Sequence, residues 1–118
     1  MYLYREFLTP DDEEVYDTFG EWPDSDENGT RILTFQDTSG QSLVFSYHVL
    51  ERSVRVRWMN NQEVTLVDIY RECATRLSFS PGKSTRNILI EFDMGECAGV
   101  MDIQIAPHFA IEDRLLFR

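Results

Sequence analysis

Apolar and polar residues alternate along much of this chain. Val54, Val56 and Trp58 fall on one face of Val54–Met59, and Arg55 and Arg57 fall on the other. A period of two is that of a half-buried β-strand. Arg31–Gln36 and Leu43–Leu50 are two further strand segments, rich in β-branched and aromatic residues. The turn-forming Asp37-Thr38-Ser39-Gly40 separates them. Together the three segments predict an antiparallel meander. Asn87–Met94 and Val100–Ala106 predict two more strands, joined by a hairpin loop over Gly95-Glu96-Cys97-Ala98-Gly99. In the second, Met101, Ile103 and Ile105 share one face, Asp102 and Gln104 the other, and Pro107 ends the run.

The period changes in two places. Thr9-Pro10-Asp11-Asp12 predicts a helix start, with Thr9 as N-cap and Pro10 in the first position. Asp11 to Glu14 then complement the positive end of the helix dipole. Val15 and Phe19 share a face, and Gly20 is placed to end the helix. Trp22-Pro23 through Gly29 is a loop. Residues 65–77 carry a mixed signal. Val64, Thr65, Val67, Ile69 and Tyr70 favour a strand. At about 100° per residue, however, Leu66, Val67, Ile69, Tyr70, Cys73, Ala74 and Leu77 share one arc. Thr65, Asp68, Arg71, Glu72, Thr75 and Arg76 occupy the opposite arc. Thr65-Leu66-Val67-Asp68 resembles a capping box, and Pro81-Gly82 stops what precedes it. The arc predicts a helix, with a bent strand as the alternative. The tail, His108–Arg118, is either a short helix around Glu112-Asp113-Arg114 or a final strand over Leu115–Phe117. The predicted fold class is α+β: a single two-layer domain over residues 1–118, with an antiparallel meander and two helices. Its element order is α-β-β-β-α-β-β plus a short C-terminal element.

Charge changes this picture more than composition does. The chain has 118 residues, 21 acidic and 11 basic, for a net charge of −10. One domain fits that length. A 42% apolar content argues against disorder despite the charge. Residues 1–30 hold ten acids and one base, while residues 31–90 carry a net +3. The acidity is therefore an N-terminal feature. It argues against nucleic-acid binding through phosphate neutralisation and against docking onto anionic lipid. No apolar run approaches the roughly 18 residues of a membrane span. Met1 to Thr9 lacks the pattern of a signal peptide. The expected setting is cytoplasmic, and Cys73 and Cys97 are expected as buried free thiols, with one bridge as the alternative.

Candidate chemistry is sparse. Asp24-Ser25-Asp26-Glu27-Asn28-Gly29 matches the opening of a calcium loop, but position twelve is Phe35, Trp22-Pro23 stands where the entering helix should be, and a strand follows. A polar turn is the better reading. Cys73, Cys97, His48 and His108 lack zinc-ligand spacing, and no cofactor or metal is expected. His48 is expected to be a structural histidine. Ser80-Pro81-Gly82-Lys83-Ser84 lacks the earlier glycine of a phosphate loop and reads as a turn. No nucleophile elbow or dinucleotide fingerprint is present, so catalytic residues are assigned to none. Arg55 and Arg57 are expected to pair across strands with acids.

What remains is a surface. Asp11, Asp12, Glu13, Glu14 and Asp17 crowd about two helical turns, and Tyr16, Phe19 and Trp22 interleave with them. Concentrated charge steers a cationic partner, and aromatic anchors ringed by charge compose interface hot spots. As a plain alternative the acids form a solvated face and Phe19 pins the helix to the sheet. The expected partner-binding set is Asp11, Asp12, Glu13, Glu14, Tyr16, Asp17, Glu21, Trp22, Asp24, Asp26 and Glu27.

These features, with the stretch Asp68-Ile69-Tyr70-Arg71-Glu72-Cys73-Ala74-Thr75-Arg76-Leu77 and the hairpin ending Met101-Asp102-Ile103-Gln104-Ile105-Ala106-Pro107, resemble the small acidic immunity proteins of bacterial polymorphic or contact-dependent toxin systems. The resemblance implies one-to-one inhibition of a cognate toxin, often a nuclease whose basic active site an acidic surface blocks. It implies a protein that is monomeric when free. The element order is also similar to that of type III secretion chaperones, which dimerise through their second helix. A small enzyme is the third class.

Overall fold

The computed structural model describes residues 6–81 and 84–117. Among these, one helix is followed by nine strands. Helix α1 spans Asp12–Phe19. A first antiparallel sheet has the order β1-β2-β3-β4-β5: Asp24–Ser25, Arg31–Gln36, Ser42–His48, Ser53–Met59 and Thr65–Arg71. A second has the order β6-β7-β8-β9: Ala74–Pro81, Arg86–Asp93, Cys97–Ala106 and Ala110–Phe117. Each sheet is a plain meander, as expected where hairpin turns join successive strands. The phosphate-loop lookalike at 80–84 lies partly outside the described residues, as does most of the segment Met1 to Thr9 read for a signal peptide.

The second helix predicted for residues 65–77 does not form, so the fold is mostly β with one helix. The alternative, a bent strand, describes the region: β5 and β6 meet at Glu72-Cys73, where Cys73 takes a φ of 67°. Register explains why. Val67, Ile69 and Arg71 lie opposite Trp58, Val56 and Val54 on the inner face. Asp68 and Tyr70 lie opposite Arg57 and Arg55 on the outer face. Two residues of the helical arc, Leu66 and Tyr70, are left 51% and 56% exposed. Asp68 instead takes both hydrogen bonds of the Arg55 guanidinium, at 2.9 and 2.8 Å. That is the cross-strand pairing expected for Arg55. Donation from Arg55 holds the Asp68 carboxyl below the usual carboxylate range.

Inward-facing residues of both sheets make one core. Leu43, Phe45, Val54 and Val56 come from the first sheet, and Ile88, Ile90, Met101 and Ile103 from the second. All eight are essentially inaccessible. At one side the sheets are clasped by Arg71, whose guanidinium donates to both oxygens of Asp113 at 2.6 and 2.7 Å and lies 5.1 Å from the Phe92 ring centre. A charge on the inner face is tolerated because both ion-pair partners are satisfied there. Elsewhere, Leu8 lies parallel to the outer edge of β6, exchanging backbone hydrogen bonds with Thr75 and Leu77. This occupies part of an edge that would otherwise be open to another strand.

Smaller expectations shift. Asp11, not Thr9, caps α1, its carboxylate accepting from the Glu14 amide at 2.8 Å. Gly20 does end the helix, at a φ of 81° that a side chain would strain. The hairpin loop is shorter than predicted, because Cys97 to Gly99 extend β8. The tail is strand β9. Cys73 and Cys97 are free thiols but half-buried, not buried.

Tyr47 yields a test of the core. Its side chain is buried, and its hydroxyl meets no hydrogen-bonding atom among the described residues. Burial, and then the charge of Asp12, pushes its phenol up to about 12. A folded value above the ordinary 10 means that this contribution to stability is complete below pH 10 and is lost as pH rises through about 12. Ultraviolet titration is expected to show one of the five tyrosines ionising last, and Tyr47→Phe should remove that phase. A late phase that survives the substitution would contradict the assignment.

Candidate functional site

The expected partner-binding residues lie at the cap and along α1, in β1, and in the loops on either side of β1. Phe19 shows how the helix is held. Its ring meets Phe35 of the first sheet edge-on at 5.1 Å and Phe79 of the second at 4.9 Å. Val15, one turn earlier, is fully buried. The helix thus leans on both sheets, which so short a helix requires. Phe19 serves the core, as the plain alternative held.

The acidic residues separate by what they do. Asp11 is the cap. Asp12 pairs with Arg31 of β2 at 3.1 Å, fixing the helix across the sheet. Asp26 builds the turn into β2: one oxygen accepts from the amides of Asn28 and Thr30 at 2.9 and 3.0 Å. The Thr30 bond is the main cause holding its carboxyl below the usual range. The calcium-loop lookalike is therefore a polar turn closed by its own backbone. His48 accepts the Glu51 amide at Nδ1 and lies 2.8 Å from the Asn28 carbonyl through Nε2, so Nε2 carries the donating hydrogen. It is the structural histidine expected, tying the turn to the end of β3.

Glu13, Glu14, Asp17, Glu21, Asp24 and Glu27 make no side-chain ion pair or hydrogen bond among the described residues. All six are exposed. They are the carboxylates free to meet a partner. Tyr16 and Trp22 stand among them, stacked at 4.9 Å and 19°, and 44% and 58% exposed. Stacking holds two large rings at the surface, which lowers the entropy cost of using them as anchors.

Sequence reasoning missed the groove beside this face. It has a volume of about 640 Å³. Phe19 and Trp22, Leu33 to Thr38, and Ile105 to Pro107 line it. No local pattern could have joined residues near 20, 35 and 106, because the two sheets bring them together. The local sequence carried no signal for it.

Among the described residues, no group of three or more His, Cys, Asp and Glu side chains is placed to hold a metal ion. No helix among them is long and apolar enough to cross a membrane.

A solved structure shares this fold. It is a chain of the contact-dependent growth inhibition toxin - immunity protein complex from Klebsiella pneumoniae 342. The likeness covers 92% of this chain and 96% of that one, with a TM-score of 0.82 at 19% sequence identity. No protein-family model matches the chain, and no curated protein matches it.

Proposed function

We propose that this chain is an immunity protein, one that binds a cognate toxin domain and neutralises it by laying an acidic surface over a basic active site, as a nuclease would present. The observation that carries the proposal is the likeness, over nearly the whole of both chains, to a chain of a toxin–immunity complex. The charge supports the inhibitor half of such a pair. Six exposed carboxylates between Glu13 and Glu27, unpaired among the described residues, accompany a stacked aromatic pair, and residues 31–118 carry a net charge of only −1. A located negative field speeds encounter with a cationic surface and sets orientation before contact. The protein would act in the cytoplasm as a monomer until the toxin binds. The chaperone reading rested on a second helix at residues 65–77 and loses its support with it.

The test is growth. Expression of the toxin domain encoded beside this gene should arrest a susceptible host, and co-expression of this chain should restore it. Failure to restore growth, with both proteins soluble and expressed, would reject the immunity role. The name of the similar complex covers a toxin as well, so a second reading makes this chain the toxic partner. Expression of the chain alone then decides: arrest supports the toxin, normal growth the immunity protein.

A further inference from the structure

The free edge of β2 carries an inference that deepens the immunity reading and rests on it. β1 pairs with β2 at only two positions, Asp24 with Ile32 and Ser25 with Arg31. Beyond them β2 continues through Leu33 to Gln36 with no strand on that side among the described residues. Which backbone groups face the open side follows from the alternation of an antiparallel ladder. The Asp37 amide donates to the Gln41 carbonyl at 3.0 Å, which directs Phe35 and Leu33 toward β3. From the other side, the Asp26 amide donates to the Thr30 carbonyl at 3.1 Å, which directs Ile32 toward β1. Both place the N–H and C=O of Thr34 and Gln36 on the open side. They have no backbone partner among the described residues. Thr34 and Gln36, which carry these two donors and two acceptors, line the same groove as Trp22 and Pro107.

We propose that the toxin contributes an extended segment that adds to the edge of β2 as a further strand. Paired to Thr34 and Gln36, it would lay an apolar side chain between Trp22 and Pro107 and direct lysine or arginine toward the rim. Strand addition draws affinity from main-chain hydrogen bonds and specificity from alternate side chains. The four residues Leu33 to Gln36 span about 13 Å of strand, enough to pair a segment of similar length. The charge of the occupant follows from the rim. Glu21, Asp24 and Asp37 line the groove, and among the described residues no lysine, arginine or histidine does. Asp37 stays ionised, held below the usual carboxylate range by donation from Ser39 and Gln41. The same rim opposes edge-to-edge pairing with a second copy, which would bring these carboxylates toward their own counterparts.

The probe is an alternating lysine–valine hexapeptide titrated into the full chain, read by amide hydrogen exchange. At saturation it should slow exchange of the Thr34 and Gln36 amides about tenfold or more. An alternating glutamate–valine hexapeptide should leave both unchanged. Thr34→Pro removes a donor that the β2–β3 ladder does not use, so it should abolish the peptide's effect while Thr34→Val keeps it. Thr34 and Gln36 amides that exchange at the free rate with the lysine peptide at millimolar concentration would overturn the proposal. So would amides already protected in the free chain in a concentration-dependent way, which would assign the edge to a second copy. The wild-type exchange data decide the matter if Thr34→Pro does not fold. The toxin domain separates the two readings. A toxin complex in which Thr34 and Gln36 remain unprotected overturns strand addition and leaves the immunity role intact. A failure to restore growth rejects the immunity role, and with it the toxin as occupant, whatever the peptide does.

Discussion

Reversal of Glu13, Glu14, Asp17 and Glu27 to lysine is expected to slow association with the toxin domain by a factor of about 10 to 1000 at low salt. The four changes, two charges each, move the net charge from −10 to −2. All four residues are exposed and unpaired among the described residues, and none lines the groove at the β2 edge. The variant therefore alters the field and leaves the groove in place. Its choice depends on the structure. Asp11 and Asp12 belong to the same acidic run, but reversing them would remove the helix cap and the Arg31 ion pair together. Lysines at positions 13 and 14 oppose the helix dipole by about 0.3–1 kcal/mol each, so helicity is measured alongside. Stopped-flow association across a salt series is the measurement. The wild type should slow steeply with added salt, and the variant should depend on salt much less. An unchanged on-rate and salt slope would remove electrostatic steering from the mechanism, though not the immunity role.

Phe45→Ala is expected to destabilise the protein by about 3–5 kcal/mol, since truncating a buried phenylalanine loses transfer free energy and opens a cavity. Phe45 is fully buried at the middle of β3. Its ring centre is 5.9 Å from that of Tyr47, and Leu33 and Val56 lie directly opposite on the flanking strands. Neighbours on three strands cannot collapse into the space without breaking the ladder. A domain of this size is stable by only about 5–15 kcal/mol, so the loss is a large fraction of the total. Urea unfolding followed by far-ultraviolet circular dichroism gives the value. A loss under about 1 kcal/mol would show that Phe45 is not central to the core. Growth protection should fall with it, because less of the chain is folded.

The clearest success of pattern reading is the meander at residues 31–59. There the alternation of apolar and charged residues matches the faces found, and Arg55 pairs across strands as its position implied. Helix α1 was legible from its acid-rich start and from Gly20, though the cap is two residues later than expected. The acidic face was legible only as composition. Its sequence does not distinguish Glu13, which is unpaired among the described residues, from Asp12, which holds Arg31, since the difference lies in a strand 19 residues away.

Charge location and strand periodicity are properties of neighbouring residues, so the sequence by itself determined them: an acidic N-terminal quarter, one short helix and a run of antiparallel strands. The identity of residues 65–77 was decided by tertiary structure. Its apolar residues fit a helical arc and a strand about equally well. Pairing with β4, which offers Arg55 and Arg57 on one face and Val54, Val56 and Trp58 on the other, is satisfied only by a strand. The groove was decided the same way. It exists because β1 stops after two residues and because the second sheet brings Ile105 to Pro107 beside the open edge of β2. Local sequence sets which conformations each segment can adopt, and burial and edge pairing between distant segments choose among them.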